Sequence, residues 1–597
     1  MLRSLVGSEM CIRDRMNTKF NKFPSVKMPE SFKCHTGWGN ICEQITTDLN
    51  KIKKLKKVIV IEYYHGINEK EFNKEFIPVL KPDLHIDAKN ALLPEKKIEE
   101  IVFPDVTDDR IFGFITRLYL DHFFDWDKIN DINEIIEETK GVVLISGIGA
   151  SILHKEWDIL IYADMARWEI QNRMKSHEIN SIGLTNKKEE FSSLYKQGYF
   201  VDWRICDKQK KKTMTEWDYV LDTNNRSNPK MISGKTYLEG LSISNKQPFS
   251  VVPFFEPGPW GGQWMKEVCN LDRSKENYAW CFNCVPEENS LLFQFGDILF
   301  ETPSINLVFY EPAQLLGEAV YSRFGDEFPI RFDFLDTMGG GNLSLQVHPL
   351  TEYIQEKFGL NYTQDESYYM MDVEKDVHVY VGTKENINPD ELISDLKIAE
   401  KGEKAFDAEK YIQTWPVKKH DHVLIPAGTI HCSGKGSMVL EISATPYIFT
   451  FKLWDWGRLG MDSKPRPINI EHGEKVIDWS RTTSWTKNNL IDQVEIVGEG
   501  DGWMEERTGL HEREFIETRR HWFSKIVKHH TNGGVNVICL VEGDQAIVES
   551  PDNNFEPFIV NYAETFIVPA KIGAYTISPY GNSVGKKIGT LKACVRT

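Results

Sequence analysis

Gln346 and His348 stand two apart in "NLSLQVHP". On a strand that spacing puts both side chains on one face. Glu366 opens the next apolar run in "DESYYMMD", and His431 follows "IPAGTI" in "DHVLIPAGTIHCSG". If these faces look inward, their polar atoms need partners. A hydrogen-bonded core is one answer and a metal ion is the other. Two imidazoles, a carboxylate and an amide oxygen suit Zn²⁺, with Fe²⁺, Mn²⁺ or Co²⁺ as alternatives. A protein contribution of N and O donors alone leaves room for a substrate oxygen. Each piece is ordinary by itself. The ordered set of QxH, a later Glu and PxGxxH is far more specific to a metal site.

The elements that must position these residues are short strands. Pro426 and Gly428 make the tight turn that sets His431 at the start of its strand. From Gln247 onward, short β-type runs are punctuated by Gly, Pro and Asp, as in "FPIRFDFLD", "DVHVYVG", "SMVLEIS" and "IFTFKLWDW". This predicts an antiparallel barrel or jelly roll, with a small helical insertion near 389–414. A second β-rich unit is expected from about Trp522. Its turn reads "VPAKIGAYTI", with Lys571 in place of the glycine and Tyr575 where a histidine would be needed, so it is expected to hold no metal.

The front of the chain reads differently. "KKVIVIEYY", "GVVLISG" and "DILIYAD" are buried-strand runs separated by helical patterns, which predicts a parallel α/β sheet. The division expected is a leader over 1–15, an extension over 16–50, an α/β domain over 51–245, the site-bearing β domain over 246–470 and a second β domain over 471–597. The leader "MLRSLVGSEMCIRDR" looks foreign to the rest, and a natural start is expected at Met16. "SGIGAS", Ser146 to Ser151, ends a strand; close packing or an anion on its backbone amides would explain it. The basic run "DKQKKKT" is expected to be a solvated loop.

Composition bounds the rest. The chain has 597 residues and a net charge of −17, which disfavours nucleic acid or an anionic membrane as partner. No apolar run reaches the roughly 18–20 residues of a membrane span. Ten cysteines with no secretory signal are expected to be reduced thiols of a cytoplasmic protein. Cys281 and Cys284 form a lone CxxC, expected to be unconnected strand cysteines.

In "PWGG", "FPIRFDFLD", "LSLQVHP", "DESYYMMD", "IPAGTIH" and "VLEISATPYIFTFKLWDWGR" the chain resembles the class I mannose-6-phosphate isomerases of the cupin superfamily. The resemblance covers about Pro248 to the C-terminus. It implies two jelly-roll barrels, Gln346, His348, Glu366 and His431 as ligands of a Zn²⁺ ion, and a small sugar or sugar phosphate as the partner. Two positions depart from the family pattern. Asp333 stands where the family usually has a lysine, and Lys452 where it has an arginine. Lys452 keeps the charge without the planar donor fork.

Moving a proton between C1 and C2 of a sugar needs a base and a group that stabilises the enediolate oxygen. Lys452 is a candidate for the second role, or a lysine at the barrel rim. Glu441 is a candidate base or partner of a ligand, or half of a salt bridge. Arg458 could hold an anion or pair with Asp455. Trp260, Trp454 and Trp456 could stack on a sugar or belong to the core. The front strands resemble, faintly, the uridine kinase and phosphoribulokinase branch of P-loop proteins. The segment after the first strand, "EYYHGINEKEF", lacks the GxxxxGK[ST] cradle, which implies a degenerate domain. Three readings stand: an aldose–ketose isomerase acting on mannose 6-phosphate or on an unphosphorylated sugar such as mannose, a non-catalytic sugar sensor, and a bifunctional kinase–isomerase.

Overall fold

The computed structural model describes residues 19–444, 449–459, 466, 468–509 and 511–596; the leader lies outside the described residues. The front unit is a seven-stranded sheet. Its strands are β1 (His35–Thr36), β2 (Lys56–Tyr63), β3 (Leu84–Asp87), β4 (Gly141–Gly147), β5 (Ile159–Asp164), β6 (Tyr219–Asp222) and β7 (Lys230–Ser233). The order is β1-β7-β6-β5-β2-β4-β3. β2 to β6 run parallel, and β7 and β1 add an antiparallel edge. Val, Ile and Leu fill β2, β4 and β5 because helices cover both faces of a parallel sheet. Helix α1 (Gly37–Lys51) buries Ile41, Cys42, Ile45 and Leu49 against Ile59, Ile61, Phe72 and Phe76. It belongs to this unit rather than to a separate extension.

The Gly147–Ser151 turn packs closely, one of its two expected readings: a Cβ on Gly149 would stand 2.5 Å from Phe124. Its amides are filled from within. Glu62 of β2 accepts from the Gly149 and Ser151 N–H groups at 2.6 and 2.8 Å and from Ser151 Oγ at 2.6 Å. Burial pushes the Glu62 carboxyl up to about 7, with these donors opposing. The basic run does depart from its expectation and is no solvated loop. It lies in helix α2 (Trp203–Thr213), where Lys210 is 1% exposed. Lys210 Nζ donates to both oxygens of Asp164, at 3.1 and 3.2 Å, and to Asn306 Oδ1 at 3.0 Å. Lys208 donates to the carbonyls of Thr116 and Leu118.

Replacing Glu62 by Gln sets an NH₂ against a buried N–H donor. Stability of the front unit is expected to fall by about 1–3 kcal/mol, read as an earlier transition in chemical denaturation.

The next unit is a two-sheet barrel. Its strands are β8 (Phe254–Glu256), β9 (Trp280–Cys284), β10 (Arg331–Asp336), β11 (Leu345–Val347), β12 (Glu366–Val373), β13 (His378–Thr383), β14 (Ile412–Pro416), β15 (His422–Ile425), β16 (His431–Ser433), β17 (Ser437–Ser443) and β18 (Phe451–Trp454). One sheet has the order β15-β12-β17-β10-β9-β8 and the other β14-β13-β16-β11-β18. The insertion is helix α3 (Pro389–Glu400) and a short helix Ala408–Tyr411, before β14 returns to the sheet. Cys281 and Cys284 are buried on β9.

A second pair of sheets, of six and four strands, begins at Glu495, earlier than the expected Trp522. The stretch from Ile470 to Leu490 does not belong to it. Asp478 N–H donates to Gly428 O, Thr383 N–H to Arg481 O and Leu424 N–H to Leu490 O, so this stretch wraps the first barrel. Inside the second pair Tyr575 donates to Asn536 Oδ1 at 2.8 Å.

The front unit and the first barrel are locked together. Lys210 and Asp164 reach Asn306 in the segment between β9 and β10, and Gln171 donates to Glu288 at 2.9 Å. The front loop at Asp109–Phe112 also seats on the barrel. Asp109 Oδ2 lies 3.1 Å from His472 Nε2, and Phe112 is 2% exposed.

Candidate metal centre

Strand register brings the polar residues together. Gln346 of β11 pairs with His431 of β16 on one side and with Lys452 of β18 on the other. Directly opposed residues share a face, so all three stand on one face of this sheet. His348 follows β11 by one residue, and Glu366 begins β12 on the opposing sheet. The turn before His431 is held by Gly428 at φ +88°, a conformation side chains resist. Gly428 N–H donates to His348 O at 3.0 Å, which ties the two histidine segments.

His348, Glu366 and His431 are at most 1% exposed, and their ligand atoms lie within 4.8 Å of one another. The imidazoles are oriented from behind: His348 Nδ1 is 2.9 Å from Phe449 O and His431 Nδ1 is 2.8 Å from Thr429 O. A carbonyl only accepts, so both Nδ1 atoms carry the proton and both Nε2 atoms face forward with lone pairs. His348 Nε2 lies 3.0 Å from Glu366 Oε2, and His431 Nε2 lies 2.8 Å from Glu366 Oε1. Despite these distances, His348 Nε2 and Glu366 Oε1 make no aligned hydrogen bond. Lone pairs facing lone pairs in a buried site repel unless a cation lies between them. Gln346 places its amide 3.1 Å from His431 Nε2, and turning that amide aims its oxygen at the same point. The donor set fits a divalent metal, with Glu366 and the two imidazoles as the core and Gln346 beside them.

Behind these ligands the sheet carries more charge. Arg331 pairs in register with Ser443, and Ser443 with Glu366; Asp333 pairs with Glu441, and Glu441 with Tyr368. Burial, with Glu366 and Glu288 adding, pushes Asp333 up to about 6 while Arg331 opposes. Burial followed by Glu366 and Asp333 pushes Glu441 well up. Gln364, not singled out in the sequence, bridges the acids, donating to Glu366 Oε2 at 2.9 Å and to Glu441 Oε1 at 3.5 Å. The two-residue step from Gln364 to Glu366 was the available signal.

The other candidates divide. Lys452 stands beside Gln346, half-buried; burial first, then Arg466 and Arg458, brings its ammonium down to about 8, with Asp455 opposing. Arg458 is held by Asp455, its Nε 3.2 Å from Oδ1, and by Asn342 O at 2.7 Å. Trp260 is core, packed edge-on to Trp280. Trp456 is half-buried and donates to Leu343 O. Trp454 lines a cleft of about 710 Å³.

Sequence reasoning also missed the front unit's share in this site. Phe112 stacks on Phe449 with centroids 5.5 Å apart, and Phe449 is the residue whose carbonyl orients His348. Phe112 also packs on Phe358 and Phe451, 5.3 Å from each. A single aromatic in an irregular loop carries no periodic signal.

The profile of a family described as "Domain of unknown function (DUF8485)" matches residues 37–245. Mannose-6-phosphate isomerase ManA of Bacillus subtilis (strain 168) is 26% identical over 239 residues, 39% of this chain and 68% of that protein. A mannose-6-phosphate isomerase of Streptococcus mutans serotype c (strain ATCC 700610 / UA159) is 24% identical over 244 residues, 40% of this chain and 71% of that protein. Among solved structures, the mannose 6-phosphate isomerase from Bacillus subtilis aligns at a TM-score of 0.47 and 18% identity, covering 58% of this chain and 99% of that chain.

Proposed function

We propose that this protein is a metal-dependent aldose–ketose isomerase interconverting mannose 6-phosphate and fructose 6-phosphate. The observation that carries this reading is the convergence of two forward-facing imidazole lone pairs on the Glu366 carboxylate, inside a barrel, beside a lysine. The relatives bearing that activity in their names support the substrate class.

Zn²⁺ is the metal proposed, and when bound it supplies Lewis-acid polarisation of the sugar carbonyl. The chain's own groups supply the rest. Glu441, buried next to Glu366 and held by Gln364, is proposed to move the proton between C1 and C2 or to set the orientation of Glu366. Lys452 is proposed to stabilise the enediolate oxygen, its lowered ammonium being a ready donor near neutral pH. Arg458, already committed to Asp455, is proposed to position the strand end that carries Lys452.

The front unit is proposed to be a kinase-like scaffold that has lost its phosphate loop. Its parallel strands lie in the chain order 2-3-1-4-5. Only Tyr64–Ile67 separate β2 from Asn68, which caps the next helix, so no long phosphate-binding loop fits there. With the amide nest filled by Glu62, the bifunctional reading has no triphosphate site behind it. A cytoplasmic location belongs to this proposal; the cysteines among the described residues are all free thiols. No helix among the described residues is long and apolar enough to cross a membrane.

The test is turnover of mannose 6-phosphate and of mannose, before and after chelation. The expected result is conversion of mannose 6-phosphate, lost on chelation and restored by added Zn²⁺. Sugar binding with no turnover of either substrate by the metal-loaded protein favours the sensor instead.

A further inference from the structure

The sheet face that presents Glu366 to the imidazoles also holds a buried guanidinium. Register sets Arg331 of β10 in one row with Ser443 and Glu366, and Asp333 in the next row with Glu441 and Tyr368. Residues two apart on a strand share a face, so Arg331, Asp333, Glu441 and Glu366 all stand on the face that bears the metal ligand. Among the described residues Arg331 is the one cation on this face of the sheet. It is 2% exposed, and its Nη2 lies 3.9 Å from Asp333 Oδ2. Burial opposes its charge, and Asp333, Glu287, Glu441 and Glu288, in that order, support it. Buried carboxyls with no cation among them repel one another strongly, so the guanidinium fixes where they stand.

Arg331 is in turn reached from the front unit. Cys284 of β9 pairs with Phe332, so the turn over 285–289 leaves the sheet at the level of Arg331. The turn is closed on itself: Asn289 Oδ1 accepts from Val285 N–H at 2.6 Å, and Asn289 Nδ2 donates to Phe282 O at 2.7 Å. It carries Glu287 and Glu288, and front-unit groups hold both. Glu288 is 7% exposed and accepts from Gln171 Nε2 at 2.9 Å and from the Tyr195 hydroxyl at 3.1 Å. Arg167 Nε donates to Glu287 O at 3.4 Å. Gln171 lies in the helix Arg167–Lys175 and Tyr195 in the helix Phe191–Gln197. The front unit thus sets one of the acids that Arg331 answers to, and the barrel sheet supplies Asp333 and Glu441.

We infer that Arg331 is a positioning residue of the isomerase site: it holds Asp333 and Glu441 in place beside the metal ligands, and the front unit sets it through Glu288. This rests on the isomerase reading for the effect on rate, and on register, the ion pair and the hydrogen bonds for the coupling. Arg331 acts through the acids rather than on the sugar. Its removal leaves the four donor residues in place and displaces Glu441, which slows proton transfer without weakening the binding of substrate.

The experiment compares the full-length, zinc-loaded protein with Arg331→Met, Arg331→Lys and the Gln171→Leu, Tyr195→Phe double variant. For Arg331→Met, kcat on mannose 6-phosphate is expected to fall about 10–100-fold, with KM within about twofold and zinc content by mass spectrometry unchanged. Arg331→Lys keeps the charge and is expected to come within about threefold of the parent rate. The double variant leaves Glu288 without its two donors. It is expected to lower kcat by about threefold or more in the parent and no further in the Arg331→Met background, because coupled residues are not additive. A loss carried by KM, a loss of zinc, no recovery by lysine, or an equal factor in both backgrounds overturns the inference. Should Arg331→Met not fold, the double variant decides, and an unchanged kcat overturns the coupling. Absence of turnover by the parent protein overturns the isomerase reading. Chemical denaturation then decides the coupling: the double variant is expected to lower the midpoint in the parent and to move it less in the Arg331→Met background, and equal shifts overturn it.

Discussion

The His431→Ala protein is expected to purify without stoichiometric zinc and to lose at least ~10³-fold in kcat/KM for mannose 6-phosphate. The size follows from the several kcal/mol that a Lewis acid contributes to a developing charge, each 1.4 kcal/mol being tenfold in rate. His431 Nε2 is one of two imidazole nitrogens facing Glu366. Its loss leaves His348 and the Glu366 carboxylate as the remaining core donors, too few for a tight tetrahedral site. Metal content by mass spectrometry and steady-state kinetics check the prediction together. A variant that retains one zinc per chain at parental affinity, or that keeps its rate, would show that these side chains are core polar residues and not ligands. The fold is expected to persist, because His431 lies at a strand start and its register partners on β11 and β13 are unchanged.

The second large effect lies in the front unit. Asp164→Ala strands the Lys210 ammonium, 1% exposed, with Asn306 Oδ1 as its remaining acceptor. Breaking a buried pair from one side costs about 3–5 kcal/mol, because the desolvated charge is left uncompensated. Asn306 also loses its contact to Asp164, so the junction with the barrel weakens along with the front unit. Replacing both partners, as in the Asp164→Leu, Lys210→Met double variant, removes the charge and is expected to recover most of the loss. Denaturant unfolding of the three proteins reads this directly. If Asp164→Ala unfolds at the parental midpoint, Lys210 is not the sealed cation the geometry describes.

How legible all this was depends on how local the signal is. β2, β4 and β5 were readable because strands sealed on both faces are written as unbroken Val and Ile runs. The convergence of Gln346, His348, Glu366 and His431 was readable because strand alternation and one turn with Pro426 and Gly428 fix where such side chains point. Lys210 was misread because a run of lysines is the commonest signature of a solvated surface. Its burial depends on Asp164, 46 positions earlier, and on Asn306, 96 later. The Glu62 plug was hidden for the same reason, since an acid on a strand and a glycine turn 87 residues on say nothing of each other. Phe112 sits in an irregular loop, where neither helical nor strand periodicity marks a face.

The stack of Phe112 on Phe449 bears on how the chain could be shortened. A protein starting at residue 246 would carry the four donor residues and every strand of both barrels, yet it would bare the aromatic ring above the carbonyl that aims His348. Such a truncation trades a dry ring–ring contact for water at the back of the ligand shell. The α/β half is therefore less a passenger fused upstream than a backing for the imidazole on which the site depends.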